Sequence, residues 1–175
     1  MQGLETKFHR LGLEQGKDAA LQGYASIFGV RDQGGDIVMP GAFAASLRRL
    51  AAHGRKVSML WQHDQAQPIG VWDEVAEDAF GLRVAGRLLP EVARGREAAA
   101  LLAAGAVDGL SIGYRVLRAE KLPQGGRKLH EVDLWEVSLV TFPMLAEARL
   151  GTKSDAPVKR QIAQALAEAA RALRG

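Results

Sequence analysis

Lys128-Leu129-His130-Glu131-Val132-Asp133-Leu134-Trp135-Glu136-Val137-Ser138-Leu139-Val140 reads as one long β-strand, with apolar and charged residues interleaved and no glycine or proline to interrupt it. A second long strand over 110–117 precedes it, and Pro123-Gln124-Gly125-Gly126 supplies turn chemistry between the two. Upstream, 69–75 and 80–89 are two further strands around a hairpin at Ala76-Glu77-Asp78-Ala79. In 57–62, Val57, Met59 and Trp61 alternate, so His63 shares their face if the strand persists. Residues 21–28 and 6–13 complete the strand candidates. Two helices interrupt them. One opens at Pro40-Gly41, repeats Phe43, Leu47, Leu50 and Ala51 at helical spacing, and stops at Gly54; the other runs from Pro90 through the Ala-rich 97–104 to Gly105. Many strands joined by short turns, with few helices, predict an α+β fold: a mainly antiparallel β-barrel with surrounding helices. A doubly wound α/β sheet needs more helices, in alternation with the strands.

The chain has 175 residues, 47% hydrophobic and 25% charged, a composition expected of one globular domain over 1–150. No apolar run reaches the roughly 18 residues of a membrane span, and the N-terminus lacks the basic start and apolar stretch of a secretory signal, so a cytoplasmic location is expected. The absence of cysteine excludes disulfides, thiolate metal sites and cysteine nucleophiles. The net charge of +3 lies entirely in the tail, because 1–150 balance and 151–175 carry five basic and two acidic residues. Within that tail, Thr152-Lys153-Ser154-Asp155-Ala156-Pro157 reads as a linker. Val158, Ile162, Ala165, Leu166, Ala169 and Leu173 then mark a basic amphipathic helix. Its stripe suits docking on another protomer or on a partner; nucleic-acid binding is the weaker reading, since the tail has no aromatic residue.

Two framed residues carry chemistry: His63 in Trp61-Gln62-His63-Asp64, and Ser111 in Gly109-Leu110-Ser111-Ile112-Gly113-Tyr114. A serine hydroxyl needs a base within reach and a third group to orient that base, and acids stand in the 128–140 strand. Together they point to a serine hydrolase. Each is ambiguous alone. Gly109-x-Ser111-x-Gly113 matches a nucleophile elbow, but the acid and histidine of that hydrolase class follow the serine and a helix follows the elbow, whereas residues 114–117 read as strand. Ser111 by itself fits a small residue in a tightly packed strand, and His63 a hydrogen-bonded structural histidine. The four histidines, at 9, 53, 63 and 130, show no metal-ligand spacing, and no metal or other cofactor is expected. Phe43, Trp61, Trp72 and Trp135 read as core.

Six stretches in order resemble the prohead maturation proteases of tailed bacteriophages. They are Gly23-Tyr24-Ala25-Ser26-Ile27-Phe28, Gly35 to Phe43, Met59 to Asp64, Pro68-Ile69-Gly70, Gly109 to Tyr114, and Leu134 to Pro143. The resemblance covers about 20–148 and implies the fold of the herpesvirus assemblins, a β-barrel surrounded by helices. It implies His63 as base and Ser111 as nucleophile. Assemblins use a second histidine where Glu136 stands here, so Glu136 becomes the third member, with Asp133 as rival on the opposite face by alternation. A backbone N–H after this strand, at Met144, is the expected oxyanion donor, since Pro143 has none to give. The implied function is a serine endopeptidase that cleaves the scaffolding portion of the major capsid protein, and itself, inside the assembling procapsid shell in the host cytoplasm. The alternative is a non-catalytic capsid assembly factor that keeps the fold.

Overall fold

The structure, a computed structural model, describes residues 20–150. The strand expected at 6–13 and the C-terminal linker and helix lie outside the described residues. In chain order the elements are β1 (Ala20–Ile27), β2 (Ile37–Val38), α1 (Ala44–Ala52), β3 (Ser58–Trp61), β4 (Asp64–Glu77), β5 (Gly81–Leu88), α2 (Ala93–Ala103), β6 (Gly109–Lys121) and β7 (Arg127–Val140). Both helices stop where the sequence predicts. Gly54 and Gly105 take positive φ (62° and 71°), and the following N–H groups of Arg55 and Ala106 reach back to Leu50 and Leu101, the pattern of a Schellman cap.

The strands form one curled sheet in the order β1-β5-β4-β3-β7-β2, with β6 on the other side of β7. The sheet is mainly antiparallel, as expected, but not wholly so: β3 and β2 run parallel to β7, which makes it mixed. Hairpin turns announce only antiparallel neighbours. The β3–β7 pair is made by segments more than seventy residues apart, which no local turn signal encodes. Between β2 and β3 the edge of β7 is filled by the start of α1: Val132 N–H donates to Ala42 O (3.0 Å) and Leu134 N–H to Ser46 Oγ (2.8 Å). The two rims of the sheet, β1 and β6, are joined by a short segment, in which Leu150 pairs with Gly23 and Arg149 with Gly109.

The core draws Leu21, Ile27, Met59, Trp72, Val84 and Leu110 from five strands, and Phe43 from beside α1. Trp72 is fully buried and its indole N–H donates to Val137 O (3.1 Å), tying β4 to β7 across the interior. Trp61 packs against this core, but Trp135, also expected inside, is 52% exposed. It stands at a β-bulge. Gly113 pairs with Glu136 and Tyr114 with Leu134, leaving Trp135 without an opposite residue. The bulge reverses the alternation around it: Val132 and Leu134 face the core before it, then Val137 and Leu139 after it. Asp133 and Glu136, expected on opposite faces, therefore both lie off the core face.

Candidate active site

His63 does not continue β3. The strand ends at Trp61, which pairs with Asp64, and Gln62 and His63 form the two-residue turn into β4. Both have positive φ, 52° and 63°, the backbone of a type I′ hairpin turn that Asn and Gly usually occupy. A side chain in this region costs on the order of 1 kcal/mol per residue. The turn is pinned from several sides. Gln62 N–H donates to Leu139 O (2.9 Å) and Gln62 Nε2 to Thr141 Oγ1 (2.8 Å), while Gln62 Oε1 accepts from Thr141 N–H (3.3 Å). His63 N–H donates to Ser138 Oγ (3.1 Å).

The turn brings the imidazole between two strands. Nε2 lies 2.9 Å from Ser111 Oγ, in β6, and Nδ1 lies 2.5 Å from Glu136 Oε1, in β7. Ser111 and Glu136 are buried, at 5% and 8% exposure, whereas the imidazole is 43% exposed. The other oxygen of Glu136 accepts from Ser138 Oγ (2.5 Å). An unbroken hydrogen-bonded chain thus runs from Ser111 through His63 and Glu136 to Ser138. The Glu136 bond raises the His63 pKa above its usual 6.5, against an opposing effect of burial.

The glycines framing Ser111 serve close approach across β6 and β7. A Cβ on Gly113 would stand 2.1 Å from Glu136 Oε1 and 2.7 Å from its Cδ, and one on Gly109 would stand 2.6 Å from Val140 O. The Glu136 side chain packs against β6 at Gly113, and Ser111 sits inside a strand without an elbow.

Asp133 is not part of this group. Arg49 (3.0 Å) and Arg115 (3.4 Å) pair with its carboxylate, Ser46 (3.4 Å) and the Trp135 indole (3.3 Å) donate to it, and the Arg49 bond first of all holds its pKa below the usual carboxylate value. Met144 lies beside the site: its side chain lines a cleft of about 300 Å³ that opens on Ser111, and its carbonyl accepts from Gln33 N–H (2.9 Å). Tyr114, Asp32, Asp36 and Arg127 line the same cleft. Arg127 clasps Asp36 through Nε and Nη2 (3.0 and 2.5 Å). Burial first, and then the charges of Asp36 and Asp32, raise the pKa of the Tyr114 hydroxyl. Among the described residues, no three His, Asp or Glu side chains gather as a metal site, and no helix is long and apolar enough to cross a membrane.

The sequence reading passed over Ser138, Gln62, Thr141 and the role of Gly113. A signal existed for Ser138, a hydroxyl inside the apolar run 137–140, since a buried hydroxyl requires a partner.

A Ser–His–Glu chain suspended between two strands of a curled mixed sheet is the arrangement of a serine hydrolase site. The chain belongs to the caudovirus prohead serine protease family, whose sequence profile matches residues 6–164. It is 38% identical over 136 residues to the prohead protease of Enterobacteria phage HK97, an alignment that takes in 76% of this chain and 59% of that protein's length. The capsid assembly protease of bacteriophage T4 shares the fold, with a TM-score of 0.57 at 14% identity over 71% of this chain and 82% of that one. The varicella-zoster virus protease aligns with a TM-score of 0.49 and 15% identity, over 75% of this chain and 62% of its own.

Proposed function

We propose that this protein is a serine endopeptidase that matures a viral procapsid by cleaving the scaffolding portion of the major capsid protein, and itself. One observation carries the reading: Ser111, His63 and Glu136, from separate segments of the chain, form a continuous hydrogen-bonded relay. Ser111 Oγ attacks the scissile carbonyl while His63 Nε2 takes its proton. The same nitrogen returns the proton to the leaving amine, and water then hydrolyses the acyl-enzyme by the reverse relay. Glu136 accepts the Nδ1–H, which keeps the Nε2 lone pair facing serine, and stabilises the imidazolium that forms. The tetrahedral oxyanion requires donors about 3 Å away; the backbone N–H of Met144 is assigned this role. No cofactor takes part. The work is done in the host cytoplasm, within the assembling shell, and the basic amphipathic tail serves docking on another protomer or on the scaffold.

Co-expression with the capsid protein, read by intact mass, tests this. Ser111→Ala and His63→Ala each leave a folded protein and unprocessed capsid protein. Processing at the wild-type rate by Ser111→Ala would refute the serine mechanism and favour a non-catalytic assembly factor.

A further inference from the structure

We propose that Ser138 is a positioning residue, which sets the orientation of Glu136 and the seat of His63 at once; the proposal rests on reading Ser111 and His63 as nucleophile and base. Ser138 is fully buried and stands opposite Ser111 in the β6–β7 register. Its hydroxyl has one proton to give. Since Ser138 Oγ already accepts the His63 backbone N–H (3.1 Å), that proton is directed at Glu136 Oε2 (2.5 Å). This leaves Oε1 facing the imidazole, so Nδ1 carries the hydrogen and Nε2 is the acceptor that Ser111 needs.

The arrangement answers a mechanical problem. The base sits in a two-residue turn with left-handed backbone at two side-chain-bearing residues, a conformation that persists only where surroundings over-determine it. The Gln62–Thr141 pair clamps one residue of the turn and Ser138 the other. Ser138 is the only one of these partners that also touches the carboxylate, among the described residues. One hydroxyl therefore couples the main-chain position of the base to the tautomer of its ring.

A fluorophosphonate probe, which reacts with an activated serine irrespective of peptide sequence, reads this coupling. Ser138→Ala, a small truncation, is expected to label about 10–100-fold more slowly than wild type, as a displacement near 1 Å in a catalytic group does. In a Glu136→Gln background, where the carboxylate is already lost, the same change is expected to cost clearly less than in wild type, because only the hold of Ser138 on the His63 N–H then remains. Nitrogen NMR of the imidazole is expected to show one Nδ1–H tautomer in wild type and a mixture in Ser138→Ala. Equal labelling of Ser138→Ala and wild type, or a full additive loss in the Glu136→Gln background, overturns the proposal. Failure of the probe to label wild type at Ser111 defeats instead the nucleophile reading beneath it.

Discussion

Gly113→Ala tests whether the place of Glu136 matters as much as its charge. The new Cβ stands 2.1 Å from Glu136 Oε1, so reaching ordinary contact at 3.4 Å requires a shift of about 1.3 Å. The side chain cannot slip past, because its Cδ and Cγ lie only 2.7 and 2.8 Å from the same point. Directed away from His63, that shift stretches the 2.5 Å bond to Nδ1 to about 3.8 Å, beyond hydrogen-bond reach. A misplacement of this size costs about 100-fold in rate, and outright loss of the orienting acid in a serine protease triad about 10⁴-fold. The expected fall in kcat for a cleavable peptide lies between these bounds, with KM nearly unchanged. Overpacking destabilises the fold by about 1–3 kcal/mol, at ~2–4 °C of Tm per kcal/mol, so the variant stays folded. Peptide cleavage and thermal melting on the same sample supply the measurement. A folded variant that cleaves within threefold of wild type would show that the carboxylate need not occupy its present position.

The remaining predictions probe the acids, the base and the tail. Glu136→Gln slows cleavage by about 10³–10⁴-fold, whereas Asp133→Asn leaves the rate within about threefold and costs roughly 1 kcal/mol of stability from its ion pairs; peptide kinetics and denaturant melts separate the two. Because catalysis needs neutral His63 and its pKa is raised, kcat/KM climbs with pH through a midpoint above 6.5, and in Glu136→Gln, where burial alone remains, the midpoint falls below that of wild type. The linked stability has the sign of a raised group: His63 contributes fully below its unfolded pKa, and the contribution is lost as pH rises through the folded one. Truncation after Leu150 preserves peptidase activity on a soluble peptide but reduces incorporation into procapsids, seen by sedimentation of assembled shells; loss of folding would make the tail part of the core.

Residues with strong local signals were legible in the sequence. The capped helices, the β4–β5 hairpin and the long β6 and β7 strands follow from glycine, proline and periodicity. Ser111 could be read from its glycine frame and the apolar Leu110 and Ile112 beside it, and His63 from its place after the apolar run 57–61, whereas Glu136 was singled out by the resemblance to the prohead proteases. Long-range partnership could not be read. The parallel β3–β7 pair depends on a crossover, and the bulge at Trp135 inserts a residue whose sequence looks like uninterrupted strand. That single insertion put Asp133 and Glu136 on one face instead of two, and ion pairs with Arg49 and Arg115 keep Asp133 from the histidine. The turn at 62–63 was hidden for a related reason: Gln and His are not the residues that advertise a type I′ hairpin, and only tertiary bonds hold them there.

The pairing of Leu150 with β1 and of Arg149 with β6 sets a limit on how far the chain can be pared back from its C-terminal side. Leu110, next to the serine, donates its N–H to Ala148 O (2.7 Å), and Leu150 N–H reaches Asp108 O (3.0 Å). A cut beyond Leu150 leaves this seam sewn. A cut before Ala148 unpicks it at the strand that carries Ser111, so trimming would become a stop signal for the enzyme as well as a change in its length.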